Sequence, residues 1–351
     1  MSEALLSYRS PGRVNLIGDH TDYTGGLVLP MAIDRYTTIS GTRTPSKIRL
    51  HSQNEPEIIE FNLPISAPEK VTPSWGRYVA GVAAEMQNRA QGFEGEISCT
   101  IPIGAGLSSS AALEVATALA LGDTSSPVER ARLCQRAEVR GVGVPCGIMD
   151  QLTVASGIRD HALLIDCHEM TISPVQLPND VKVIVQFIAE RKLTSSGYAE
   201  RVAQCNAAEE IVGPLRLANL SSLVNITDKT IFHRARHVVS ENQRVRDFAA
   251  MLRTGDLKSA GKLMIESHNS LDQDFETSTP QMNAAVAAAL SQPGVFGARM
   301  TGGGFGGAVV ALLPVGEVER VRAAVLTSYS TPAGEPPLIM IETPAAGASL
   351  I

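Results

Sequence analysis

Between Pro11 and Pro30 the chain reads PGRVNLIGDHTDYTGGLVLP, a dense polar block held between two apolar runs. Val14, Leu16 and Ile17 lead into it, and Leu27, Val28 and Leu29 lead out after the pair Gly25-Gly26. Arg13, Asn15, Asp19, His20, Asp22 and Tyr23 fall within eleven positions. A surface loop has no need of flanks this apolar, whereas a polar floor sunk into a core does. Each buried donor or acceptor on such a floor requires a partner. A sugar, with its several hydroxyls, supplies partners of both kinds. A charged hairpin turn is the plain alternative for this stretch taken alone.

The chain of 351 residues is long enough for two domains. With 44% hydrophobic and 19% charged residues it has a globular composition, which excludes a disordered chain. A formal charge of -6 argues against a nucleic-acid partner, because phosphate backbones require a basic face. A small anion stays open, since local cations suffice for it. No apolar run reaches the roughly 18–20 residues of a membrane span, so no membrane partner is expected. The N-terminal MSEALLSYRSPGR has no long apolar core of the signal-peptide kind. The five cysteines are widely spaced with no CxxC pair, and the seven histidines form no HExxH. A reduced, cytoplasmic protein without a structural metal is expected.

Short β-like runs (28–33, 37–41, 97–101) mix with helical patterns over 75–86 and 111–121, and 162–166 reads as a strand. The segment 172–180, with Pro174 and Pro178, reads as a crossing into a second unit. That unit opens on a buried strand, 181–187, and turns helical over 235–252, 257–275 and 279–290. Strands at 297–301 and 308–313 then flank a glycine cluster. The alternation lacks a strict βαβ rhythm, so the class is α+β in two lobes.

Three further segments carry chemistry. Gly104-Ala105-Gly106-Leu107-Ser108-Ser109-Ser110 joins a strand to an alanine-rich helix. Its glycines allow close backbone approach, its serines are expected to cap the helix, and a helix N-terminus with free amides holds anions. It has no lysine, unlike a Walker A loop, and Ser109 stands where a dinucleotide fingerprint needs a glycine. An ordinary capped helix is the alternative. Gly302-Gly303-Gly304-Phe305-Gly306-Gly307 offers a bare backbone surface, or a strained turn. In Cys146-Gly147-Ile148-Met149-Asp150-Gln151, Asp150 is a lone acid among small and apolar residues, of a kind more often a cap than a catalyst.

Taken in this order, the segments resemble the GHMP superfamily of small-molecule kinases. The Arg13 stretch is similar to the galactokinase signature GRVNLIGEHTDYNGG. Matches continue through Tyr198-Ala199-Glu200-Arg201, Arg234 to Val239 with Glu241-Asn242, Glu266-Ser267-His268 and Asp274-Phe275. The resemblance implies an N-terminal mixed sheet with helices over 1–175 and a C-terminal ferredoxin-like α/β sandwich over 176–351. It implies phosphorylation of D-galactose by ATP at the anomeric hydroxyl. L-Arabinose or N-acetylgalactosamine as the acceptor, and a non-catalytic galactose sensor, are the alternatives.

By that resemblance, Gly104 to Ser110 wrap the ATP phosphates, amides and helix dipole standing in for the missing lysine. Ser110 and Glu138 are the Mg²⁺ ligands, and Ser52 touches the base. Asp150 is the catalytic base and Arg13 its partner, since an adjacent cation favours the ionised carboxylate. Asp19, His20, Thr21, Asp22 and Tyr198 fall on sugar-binding positions, and the loop 302–307 closes the site. One position departs from the pattern: Asp19 stands where the signature has Glu, its carboxylate withdrawn by one methylene.

Overall fold

The structure, a computed structural model, describes residues 5–189 and 195–351. Strands β1 (Leu6–Asn15), β2 (Leu27–Val28), β3 (Pro30–Thr44), β4 (Lys47–Ser52), β5 (Ile59–Asn62) and β6 (Gly92–Cys99) come first, with helix α1 (Gly76–Met86) before β6. Helices α2 (Ser109–Ala120), α3 (Pro127–Val142) and α4 (Met149–Ser156) follow, then β7 (His161–Asp166) and β8 (Thr171–Gln176). The second half runs β9 (Val181–Ala189), α5 (Ser195–Val212), α6 (Lys229–Thr254), α7 (Leu257–Gln273) and α8 (Pro280–Leu290). It closes with β10 (Gly297–Thr301), β11 (Gly307–Pro314), α9 (Val318–Ser328), β12 (Ile339–Glu342) and β13 (Ser349–Leu350).

The sheets are ordered β13-β1-β3-β6-β4-β5, β10-β11-β9-β12 and β2-β7-β8. Among the described residues all strand pairings are antiparallel except β4 with β6, so the α+β expectation holds. Of the two β-like runs read at 28–33 and 37–41, the second and residues 30–33 of the first belong to one long strand, β3, while Val28 ends β2. The register of β3 against β1 shifts at Pro11/Gly12. The segment expected as a crossing is partly a strand: β8 pairs with β7 through Pro174 opposite Leu163. Proline is tolerated there because β8 is the edge of its sheet, where a missing N–H leaves no ladder bond unmade. After β12 the chain returns to the N-terminal sheet and β13 pairs with β1.

Helix α3, absent from the sequence reading, starts on a reciprocal cap. Ser126 accepts from the Glu129 N–H, Glu129 accepts from the Ser126 N–H, and Pro127 fills the first helical position. One apolar cluster fills the space under the six-stranded sheet, against α1 to α4. Another fills the C-terminal sheet. A third joins the lobes: Val14, Leu16 and Met31 pack with Val183, Val245, Phe248 and Val310. Burying each such side chain contributes roughly 1.5–3 kcal/mol, so the lobes share a core. Among the described residues no helix is long and apolar enough to cross a membrane.

Candidate active site

Two adjoining cavities open where the lobes meet. The larger, about 450 Å³, is lined by Ser52, Trp75, Tyr78, Gly104, Gly106 and Leu107 to Ser110, among others. The smaller, about 120 Å³, is lined by Asp19, His20, Asp22, Glu138, Gly147, Tyr198, Gly302 and Gly303. Arg13, Tyr78, Ser110 and Asp150 line both. The sequence-predicted residues therefore come together, with two exceptions. Ala105 is fully buried and is not among the lining residues. Thr21 is also buried, its hydroxyl within hydrogen-bond distance of the Gly18 and Leu27 carbonyls, so it ties the loop to itself.

The loop Gly104 to Ser108 ends on a left-handed serine. Ser108 has φ 60 and makes no cap hydrogen bond to α2, contrary to the expected serine cap. Its Oγ instead donates to Asp150 Oδ2 at 2.6 Å. The start of α2 is thus left without a side-chain cap from Ser108, and Ser109 and Ser110 line the larger cavity. Arg13 meets Asp150 as a fork: Nε donates to Oδ1 and Nη2 to Oδ2, both at 2.7 Å. Its third nitrogen donates to the Gly106 carbonyl at 2.6 Å, which fixes the guanidinium against the phosphate-type loop. Arg13 is buried while Asp150 keeps 31% of its side chain exposed, so the carboxylate is the accessible member of the pair.

On the smaller side, burial and then the charge of Asp150 lift Asp22 to about 7. The same two causes lift Glu138 to about 7. Among the described residues four carboxylates line this cavity against one arginine, and that set of negative charges suits a cation. The Ser110 hydroxyl is among the groups that draw the Glu138 carboxyl back down, and Gln151 Nε2 donates to Glu138 at 2.6 Å and to the buried Glu114 at 3.1 Å. One hydroxyl and one carboxylate form a donor set that fits Mg²⁺, which keeps most of its shell for water and phosphate.

Asp19 sits on a floor built from both lobes. Its Oδ2 takes an Arg299 N–H at 2.6 Å, and its Oδ1 takes Asn15 at 2.9 Å and the Gly302 amide at 3.1 Å. Burial raises its carboxyl above the usual range and Arg299 pulls it back. Arg299 is fully buried, and the sequence reading did not single it out. His20, at φ 66, bonds through Nδ1 to the Tyr23 hydroxyl at 3.1 Å and packs on Phe275 and Tyr198. Gly147 faces Asp22 so closely that a Cβ there would lie 1.8 Å from Asp22 Oδ2. The loop 302–307 lies against the other loop, a Cβ on Gly302 falling 3.3 Å from the Gly106 carbonyl.

This arrangement has counterparts. The model of the galactokinase galactose-binding signature matches residues 2–43, that of the GHMP kinases N terminal domain 77–157, and that of the GHMP kinases C terminal 248–331. The chain is 43% identical over 347 residues to the galactokinase of Bos taurus, covering 93% of this chain and 88% of that one. It is 42% identical over 353 residues to that of Homo sapiens, with the same coverage. The structure of Lactococcus lactis galactokinase complexed with galactose superposes with a TM-score of 0.93 at 32% identity, over 99% of this chain and 95% of that one. The mevalonate kinase of Methanococcus jannaschii shares the fold, with a TM-score of 0.71 at 20% identity, over 98% of this chain and 100% of that one. A buried polar loop, a lysine-free phosphate-type loop and an arginine–aspartate pair between them thus sit in the two-lobed GHMP fold, and the chain belongs to the galactokinase family.

Proposed function

We propose that this protein transfers the γ-phosphoryl group of ATP to the anomeric hydroxyl of D-galactose, giving galactose 1-phosphate and ADP. The observation that carries this reading is that Arg13 and Asp150 stand in the walls of both cavities at once. A nucleotide held in the larger and a sugar held in the smaller meet at that pair.

ATP lies along Ser52 and Gly104 to Ser110, its phosphates on the open amides of α2. Galactose lies on Asp19, His20, Asp22 and Tyr198, with Thr21 shaping the loop from within. Residues 1–175 thus supply the nucleotide site and most of the sugar site, and 176–351 supply the closing loop and Tyr198. Asp150 takes the proton of the anomeric hydroxyl as the oxygen–phosphorus bond forms. The bond from phosphorus to the bridging oxygen breaks, and ADP leaves with the electron pair. Asp150 Oδ2 already accepts from Arg13 and Ser108, while Oδ1 accepts from Arg13 alone. A carboxylate oxygen has two acceptor sites, so Oδ1 keeps one for the sugar proton. Arg13 also neutralises charge developing on the phosphoryl group.

Ser110 and Glu138 would hold Mg²⁺, which supplies charge neutralisation to the phosphates when bound. The five cysteines, all free, support a reducing, cytoplasmic setting. A coupled ADP-release assay over a panel of hexoses and pentoses tests the reading. Galactose is expected to give the fastest release, and a panel in which no sugar stimulates ADP release would overturn it.

A further inference from the structure

Of the polar side chains that helix α6 buries, three meet the sugar loop: His237 and Glu241 are fully buried and Asn242 nearly so. None of the three lines either cavity. Polar groups buried this deeply are costly without partners, and these find theirs on the backbone of the sugar loop. Glu241 Oε1 accepts the Gly18 N–H at 2.9 Å. Asn242 Oδ1 accepts the Leu27 N–H at 2.7 Å. His237 Nε2 lies 3.1 Å from the Asp19 carbonyl. The helix therefore grips the loop at its entry, at its exit and at the residue that opens the polar block.

Each grip is itself held. Burial lowers His237 to about 4, so the ring is neutral and carries one N–H. A carbonyl only accepts, which puts that proton on Nε2, and Nδ1 accepts from Ser270 Oγ at 2.8 Å. Glu241 Oε1 also accepts from Ser267 at 2.5 Å and Oε2 from Arg244 at 2.6 Å. Asn242 Nδ2 donates to the Val238 carbonyl at 3.0 Å, which fixes the orientation of its amide. The loop glycines are fitted to the helix in turn. A Cβ on Gly26 would come within 2.5 Å of Asn242 Oδ1, and one on Gly18 within 2.9 Å of Val245. A side chain at Gly26 would push the loop away from Asn242, and one at Gly18 would also clash with the Leu27 carbonyl across the loop.

We infer that His237, Glu241 and Asn242 are positioning residues for the sugar. From the C-terminal lobe they set the height at which His20 and Asp22 meet the substrate, without touching it. The inference rests on the reading of this loop as the galactose site. It makes sugar affinity a property of the lobe junction, and it leaves the nucleotide cavity, which has no α6 residue in its lining, outside the effect.

Calorimetry with galactose and with ATP, alongside steady-state kinetics, tests this on the parent protein and four variants. Asn242→Ala leaves the Leu27 N–H without its acceptor and is expected to weaken galactose binding and raise its KM about 10-fold. His237→Phe keeps a ring of similar size, loses the Asp19 bond and is expected to act in the same direction, which serves if Asn242→Ala does not fold. Glu241→Gln keeps an acceptor toward Gly18 and should stay within about 3-fold of the parent. Val238→Ala removes apolar packing from the same helix without reaching the loop, and should lower Tm while leaving the galactose KM unchanged. For all four, kcat at saturating sugar and the KM for ATP should hold within about 2-fold, since neither depends on the loop's height. The inference is overturned if Asn242→Ala or His237→Phe binds galactose like the parent, if the KM values for sugar and ATP rise together, or if Val238→Ala shifts the sugar KM equally. A parent protein that binds no galactose would overturn the functional reading, and this inference with it.

Discussion

The nucleotide-side cavity takes its turn and helix start, Gly104 to Ser110, from one unbroken stretch of chain. The sugar-side cavity takes His20 and Asp22 from one lobe and Tyr198, Gly302 and Gly303 from the other, above an Asp19 held by Arg299. The first is shaped within one lobe, because its left-handed serine and uncapped helix start are tied to Arg13 and Asp150 of that same lobe. The second depends on contacts between residues more than 200 positions apart in sequence, such as Asn15 with Thr301 and Gly18 with Glu241. Changes on the nucleotide side should therefore act locally on nucleotide and metal, whereas changes at the lobe junction should reach the sugar from a distance.

The largest effect is expected where the two sides meet. Asp150→Asn should lower turnover by roughly 10²–10⁴ while ATP and galactose still bind, since a positioned base contributes about that much. Near-parental turnover would assign the chemistry to Arg13 and positioning alone. Arg299→Met comes next. It leaves Asp19 buried without its cation, a loss of about 3–5 kcal/mol in stability, which thermal or urea unfolding reads directly. In the folded fraction it should weaken galactose more than ATP, and equal losses would blur the distinction between the two sides.

Glu138→Gln sharpens the comparison through pH. The folded carboxyl sits near 7 against an ordinary 4.5, so the native state keeps a proton that the unfolded chain releases. Stability then falls as pH rises from about 4.5 to about 7, and the loss persists above that. Measured without divalent cation, the glutamine variant should gain on the order of 3 kcal/mol over the parent at pH 8 and nothing at pH 4, while losing magnesium-dependent turnover. A variant no more stable than the parent at pH 8 would remove the proposed cation site's excess of negative charge.

Smaller effects belong to the sugar. Gly147→Ala displaces the Asp22 carboxylate and should raise the galactose KM about 10-fold, the loss of one charged hydrogen bond, with the ATP KM unchanged. The smallest expected difference is between sugars. L-Arabinose matches galactose around the ring but lacks the C6 hydroxymethyl. Asp19 is engaged by Arg299, Asn15 and Gly302, so its grip on a distant hydroxyl should be modest. Galactose should be preferred only several-fold, as for a water-bridged contact. An Asp19→Glu variant should discriminate more sharply, and arabinose outperforming galactose would move the substrate assignment while leaving the kinase chemistry in place.

What the sequence made legible follows the same division. The polar side chains between Arg13 and Tyr23, the loop 104–110 and the acid in Gly147-Ile148-Met149-Asp150 are local patterns, and each contributes residues to the lining of the site. Helix α3, which carries Glu138, lies outside the elements that periodicity predicts, although Ser126-Pro127-Val128-Glu129 spells its cap. The serines at 108–110 look like helix caps because serine before a helix usually is one, whereas Asp150 claims the Ser108 hydroxyl. Arg299 had no local signal at all: an arginine in a short strand gives no hint of a partner 280 positions away. The polar residues of α6 look in sequence like a solvated face, and only packing against the loop turns them inward.

The most direct test of the central claim is ³¹P NMR of the products formed from ATP and galactose. The account predicts one ADP for each sugar phosphate, with the phosphorus bonded to the anomeric oxygen, because Asp150 faces the hydroxyl that meets the larger cavity. ADP formed without sugar phosphate, or phosphate on another carbon of galactose, would contradict it.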